Sequence, residues 1–315
     1  MILLLSARPS ASSQLILASL QARPLFVHPS RFPPFHTFKT LTMSTSKSAA
    51  SLIPTDPAKV MVIRDVTPTI TTLSVPFARF GRIKLGGRAT LVKMQSGNVA
   101  VFSPVALTPD VKAKVKSLGP VKYIVAPDIE HHIFISTWVQ EYPDAEVIGP
   151  EGLPEKREQD PATKGTKFAH VFSAKNKLDL KISPEFDQEF STEFFHSHVN
   201  KELVFLHKPT KTMIEADLLF NLPATEQYSK TGLDPRSGFL TKLFVGIQNT
   251  KGNMTWQKRF LWYGASSKDR AGFTESVKRI NTWDYDRIIP CHGEVIETGG
   301  KATMNTATEW FTAQK

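Results

Sequence analysis

From Val60 onward, short apolar, β-branched runs alternate with turn material. The segments VMVIRDV, TITTLSVPF, RATLVKM and NVAVFSP lie between Val60 and Pro104, broken by Gly86-Gly87 and by Gln95-Ser96-Gly97. That pattern predicts short antiparallel strands joined as hairpins. Pro109 to Leu118 then reads as a helix, with Thr108 as N-cap, proline at the first position and Gly119 past the end. Tyr123 to Ala126 predicts a strand and His132 to Tyr142 a helix, from the spacing of Ile133, Trp138 and Val139; Glu146 to Ile148 is a further strand. Gly152 to Asp160 reads as a short polar helix and loop. A second run of strands follows in FAHVF, LDLKISP, TEFFHSH, KELVFLH and KTMIEAD, between Phe168 and Asp217. Leu219 to Asn253, with Gly232, Pro235 and Gly238, reads as an irregular insertion near the mouth of any site. Met254 to Tyr263 and Asp269 to Trp283 predict helices, Arg287 to Pro290 a strand, and Ala302 to Trp310 a closing helix. Two runs of strands, each with its own helices, predict a single α/β domain over 58–315, folded as a four-layer αββα sandwich.

Composition narrows the function classes. With 41% hydrophobic and 22% charged residues, the chain is ordinary for a globular protein. Its apolar runs fall short of the roughly 18–20 residues a spanning helix needs, so no membrane partner is expected. Cys291 is the only cysteine, which excludes an intrachain disulfide and leaves any metal to His, Asp and Glu. The net charge of +10 is unevenly placed: residues 1–42 hold Arg8, Arg23, Arg31 and Lys39 but no acid. That leader has the composition of a transit peptide and is expected to take no part in the fold. Met43, opening MSTSKSAAS, is an equally natural start, so mitochondrial and cytoplasmic locations both stand. The other bases are scattered without an Arg-rich stripe of interleaved aromatics, so the expected partner is a small-molecule substrate and not nucleic acid.

The candidate chemistry sits at strand ends. Asp128, Glu130, His131 and His132 follow the strand at Tyr123, His196 and His198 end TEFFHSH, Asp217 ends KTMIEAD, and His292 follows RIIP. Strand ends are where side chains distant in sequence converge, and imidazole with carboxylate suits zinc or iron. A plainer reading of each is also available. His131-His132 at a helix start serves as polar capping, Asp128 and Glu130 as turn and helix-start acids, and His170 and His207 as surface or turn residues.

Around these residues the chain resembles the metallo-β-lactamase superfamily, from about Asp65 to the C-terminus. The family's HxHxDH turn is similar to APDIEHH, with His132 on the last histidine, His131 at the aspartate, and Pro127 and Ile129 at the first two histidines. SHVNKELVFL puts His198 on the histidine of the GHTPG motif, EADLLF puts Asp217 on the metal-bridging aspartate, and PCHG puts His292 on the last ligand. The chain is especially similar to an uncharacterised, domain-of-unknown-function branch. The resemblance implies an αββα sandwich with its first metal position broken, because proline and isoleucine offer no ligand. It implies one zinc or iron ion on His132, Asp217 and His292, with His131 or His198 as fourth ligand or outer partner, and Glu130 or Asp128 as proton acceptor. The function implied is hydrolysis of an ester, lactone or thioester. The alternative is a non-catalytic relative that binds a small molecule or a protein through the old pocket.

Overall fold

The computed structural model describes residues 53–313; the leader expected over 1–42 and the start at Met43 lie outside them. Among the described residues thirteen strands form: β1 (Val62–Thr67), β2 (Ile70–Val75), β3 (Ala78–Arg79), β4 (Ile83–Lys84), β5 (Gly87–Lys93), β6 (Val99–Phe102), β7 (Val121–Val125), β8 (Glu146–Pro150), β9 (His170–Phe172), β10 (Phe190–Phe195), β11 (Glu202–His207), β12 (Thr212–Glu215) and β13 (Arg287–Pro290). The first sheet runs β1-β2-β5-β6-β7-β8-β9 and the second β10-β11-β12-β13, while β3 and β4 pair as a separate hairpin. Both sheets change from antiparallel to parallel pairing part-way across, at β6/β7 and at β12/β13. Parallel neighbours need crossovers, and helices supply them.

Side-chain alternation along the strands builds the layers. Ala100 and Phe102 of β6, Tyr123 and Val125 of β7, Phe190 and Phe194 of β10, Leu203 and Phe205 of β11, and Ile289 of β13 point into one core between the sheets. Their neighbours point the other way. Val99, Val101 and Ile124 join Val111, Val115, Ile135 and Trp138 of the helices Pro109–Leu118 and Ile135–Glu141. Val204, Met213 and Ile288 join Phe273, Val277 and Phe311 of the helices Arg270–Ile280 and Gly300–Thr312. Helix, sheet, sheet, helix is therefore the layer order, and the predicted αββα sandwich is the fold observed.

Three local expectations need correction. LDLKISP forms no strand: Ile182 is buried in the core with Leu180 packed partly against it, and Ser183 caps a helix Pro184–Glu189, its Oγ accepting from the Phe186 N–H. The insertion 219–253 contains ordered helices at Thr225–Tyr228 and Phe239–Ile247. His207 is buried, not surface-exposed, with Nε2 3.3 Å from Glu189 and Nδ1 2.7 Å from Thr210.

Candidate metal centre

Three strand ends bring three donors together. His131 follows β7, Asp217 lies just beyond β12, and His292 lies just beyond β13. One ligand atom from each falls within 4.8 Å of the other two. The separations are 3.1 Å between His131 Nε2 and His292 Nε2, and 3.3 Å between His292 Nε2 and Asp217 Oδ1.

The outer partners orient each donor. Asp128 is fully buried and follows the β7 strand in a tight turn. Its Oδ1 accepts from the backbone N–H groups of Glu130 and His131, each at 2.7 Å, and both its oxygens lie 2.9 Å from His131 Nδ1. His292 Nδ1 donates to the Gly86 carbonyl at 2.6 Å. With both Nδ1–H groups committed outward, each ring keeps its Nε2 lone pair for the shared space. Two lone pairs facing at 3.1 Å repel unless a proton or a cation stands between them. Burial alone would depress His131, but Asp128 and Asp217 outweigh it and its pKa is pushed up to about 9. Burial likewise would raise Asp217, yet His131 and His292 hold its carboxyl well below the usual range. The pocket is thus built for positive charge. Asn200 fixes the remaining Asp217 oxygen, its Nδ2 donating to Oδ2 at 2.7 Å.

The loop carrying His292 is held from the other sheet. Arg88 of β5 is buried and donates from one nitrogen to the carbonyls of Pro290, at 2.8 Å, and Gly293, at 2.6 Å. Gly293 takes φ +87°, and a Cβ there would sit 2.1 Å from the Asn221 carbonyl oxygen, so only glycine fits this turn. Phe220 stacks on the His292 ring at 5.2 Å, closing one wall.

The remaining site expectations part from this geometry. His132 is turned away: Arg157 donates to its Nδ1 at 3.1 Å and to its carbonyl at 2.7 Å. Burial first, then Lys156 and Arg157, lower its pKa to about 4. The tight turn points adjacent histidines in opposite directions, so His131 takes the place expected for His132. His198 stands outside the group of three. Its Nδ1 accepts from the Asn200 N–H at 3.2 Å, which leaves a buried Nε2–H without a partner. Asp128 backs His131 with both oxygens and faces no substrate space. Glu130 is held by Lys156 at 2.9 Å and Arg79 at 3.3 Å, and those cations outweigh burial to keep it ionised. Neither acid is placed as a free proton acceptor. Arg88 and Arg157 were not singled out by the sequence, Gly86 was read only as turn material, and Asn200 lay unremarked within SHVNKELVFL; each meets its partner in the site from a distant part of the chain.

Residues 80–251 match the family DUF4336, a domain of unknown function. The chain belongs to that family. No curated protein matches this DUF4336 chain. Among solved structures it is similar to a metallo-beta-lactamase from Pontibacter korlensis, at 11% identity and TM-score 0.51, over 81% of this chain and 100% of that one. It is similar to VMB-1 at 11% identity and TM-score 0.52, over 80% and 98% of the two chains. It is also similar to a flavo di-iron protein from Thermotoga maritima, at 15% identity and TM-score 0.52, over 80% of this chain and 62% of that one. Likeness at such identity establishes the metallo-β-lactamase fold for this DUF4336 protein, and the fold alone.

Proposed function

We propose that the protein is a metal-dependent hydrolase of a small ester, lactone or thioester, using a single zinc ion. The observation that carries this reading is the meeting of His131 Nε2, Asp217 Oδ1 and His292 Nε2, with both imidazoles turned by outer hydrogen bonds to present lone pairs. Two imidazoles and a carboxylate form the donor set of catalytic zinc, and three protein donors leave a position for substrate or water. When bound, the metal would polarise the scissile carbonyl and lower the pKa of a water molecule. The chain's own residues do the rest. Asp128 and the Gly86 carbonyl hold the two rings in the ligating tautomer. Asn200 keeps Asp217 Oδ1 free for the cation by occupying Oδ2. His198 is tied to Asn200 through Nδ1 and so helps to set the position of the residue that holds Asp217. Phe220 shields His292 from bulk water.

A non-catalytic binding protein is the second reading, favoured by Pro127 and Ile129 at the positions of the first two family histidines. Metal content of the purified protein, followed by hydrolysis assays on an ester, lactone and thioester panel, separates the two. The hydrolase reading expects stoichiometric zinc and turnover that His131→Ala and His292→Ala both abolish. Turnover equal in wild type and both variants, or absence of metal after supplementation, overturns it.

A further inference from the structure

The helix Phe239–Ile247 turns much of its apolar surface outward. Only Thr241 is buried, whereas Phe239 is 81% and Leu243 45% exposed. Phe244 and Val245 on the other side pack against the cluster containing Phe220 and Leu222, so the helix is anchored while its outer stripe stays bare. The β3–β4 hairpin lies alongside. Thr241 Oγ1 donates to the Arg82 carbonyl at 3.0 Å and accepts from the Lys84 N–H at 3.2 Å, while Lys84 Nζ donates to the Asp234 carbonyl at 2.8 Å. Hairpin, helix and the loop between 231 and 238 therefore form one face, on which Phe80 is 74% and Leu233 56% exposed.

The charges on this face are predominantly positive. Arg82, Arg236 and Lys242 are exposed, and among the described residues none has an ion-pair partner. Asp234 is the only acid between 229 and 257, and its Oδ1 accepts from the Arg236 N–H. Large apolar side chains rimmed by unpaired bases fit a surface in which hydrocarbon lies under anionic headgroups. A second copy fits poorly, because a two-fold contact would set the same bases against one another.

We propose that this face docks the protein peripherally on anionic lipid bilayers. Phe80, Phe239 and Leu243 would enter the boundary between headgroups and acyl chains, with Arg82, Arg236 and Lys242 on the phosphates. No described helix is long and apolar enough to cross a membrane; the proposal departs from the sequence-based expectation of no membrane partner, which was argued from the absence of a spanning run. The proposal is independent of the hydrolase reading, although the face lies one aromatic layer from the metal centre: Phe244 meets Phe220 edge-on at 6.2 Å, and Phe220 stacks on His292.

Flotation of the full chain with phosphatidylcholine vesicles, and with phosphatidylcholine–phosphatidylserine vesicles, tests it. A metal chelator is kept present, so that failure here and failure of the hydrolase reading are separate results. Binding is expected on the phosphatidylserine vesicles, weaker by about tenfold or more on neutral vesicles and at high salt. Phe239→Ser with Leu243→Ser, and separately Arg82→Glu with Lys242→Glu, should each lower partitioning by about tenfold or more with unchanged melting temperature. Three results overturn the proposal: no binding to anionic vesicles, binding that survives both variants, or a lipid-free dimer in sedimentation equilibrium that Leu243→Ser dissociates.

Discussion

Replacing Asp128 by asparagine isolates what one buried carboxylate does for the metal centre. Asp128 Oδ1 serves two backbone N–H groups at 2.7 Å and the His131 ring at 2.9 Å, and Oδ2 stands at 2.9 Å from the same ring nitrogen. Asparagine can keep its oxygen at the Oδ1 position and so retain the turn. Its amide then faces His131 Nδ1 with a donor, where the native residue has an acceptor. The ring keeps the oxygen at the Oδ1 position as an acceptor but loses Oδ2 and the carboxylate charge, so the tautomer with its proton on Nε2, the atom that must ligate, gains population. Loss of such an outer carboxylate typically costs about 10–100-fold in metal affinity, or about 1.4–2.8 kcal/mol. Competition titration of zinc against a chromophoric chelator measures the change, and far-UV circular dichroism confirms that the fold is retained. Asp128→Ala should lose more stability, because it also strips the acceptor from two N–H groups, at about 1–3 kcal/mol each. An Asp128→Asn protein that is folded and binds zinc within about twofold of wild type refutes the assigned role of Asp128.

His132→Ala and His131→Ala distinguish the two adjacent-histidine assignments. Zinc affinity should stay within about threefold in the first and fall by about 100-fold or more in the second; equal losses would return His132 to the centre. Gly293→Ala places a methyl against the Asn221 carbonyl at a left-handed φ of +87°, and should lower unfolding free energy by about 2 kcal/mol or more, measured by urea titration; an unchanged midpoint would mean that the loop relaxes freely. Glu185 gives a pH signature. Burial alone would raise its pKa, but hydrogen bonds from Ser96, Lys122, Tyr123 and Asn98 hold it at about 2, against an ordinary value of 4.5. A depressed folded pKa means stability fully present above pH 4.5 and lost as pH falls toward 2. The urea midpoint of Glu185→Gln should therefore lie below that of wild type at neutral pH and converge on it across that window. A gap independent of pH would count against the contacts described.

The fold was legible where local chemistry and tertiary packing agree. Thr108, Pro109 and Gly119 bracket the first long helix, and the observed cap is the Thr108 side chain accepting from the Val111 N–H. Arg287–Pro290 forms the strand its apolar run predicts, because it pairs with β12 inside two covered faces. LDLKISP misled because its alternation has period two, yet Leu178 is 63% exposed and the Ser183-Pro184 pair is a helix start. At the metal centre, the sequence identified Asp217 and His292 through their motifs but not which of two adjacent histidines faces them. That choice is made by Asp128 from behind and by Arg157, 25 residues downstream in a helix of polar composition. The Arg157 contact, between positions so far apart, leaves no periodicity or spacing to read.

The grip of Arg88 on both flanks of His292 has a kinetic consequence. Its guanidinium is also tied to Ser74 Oγ, at 3.1 Å within its own sheet, so swinging the histidine outward would unlatch one layer of the molecule from the other. An arriving ion therefore meets donors already aimed, and its capture should be governed by the shedding of its own hydration water, not by rearrangement of the polypeptide. Release should be slow for the same reason, since opening the cage means breaking the Arg88 contacts on both flanks of the loop.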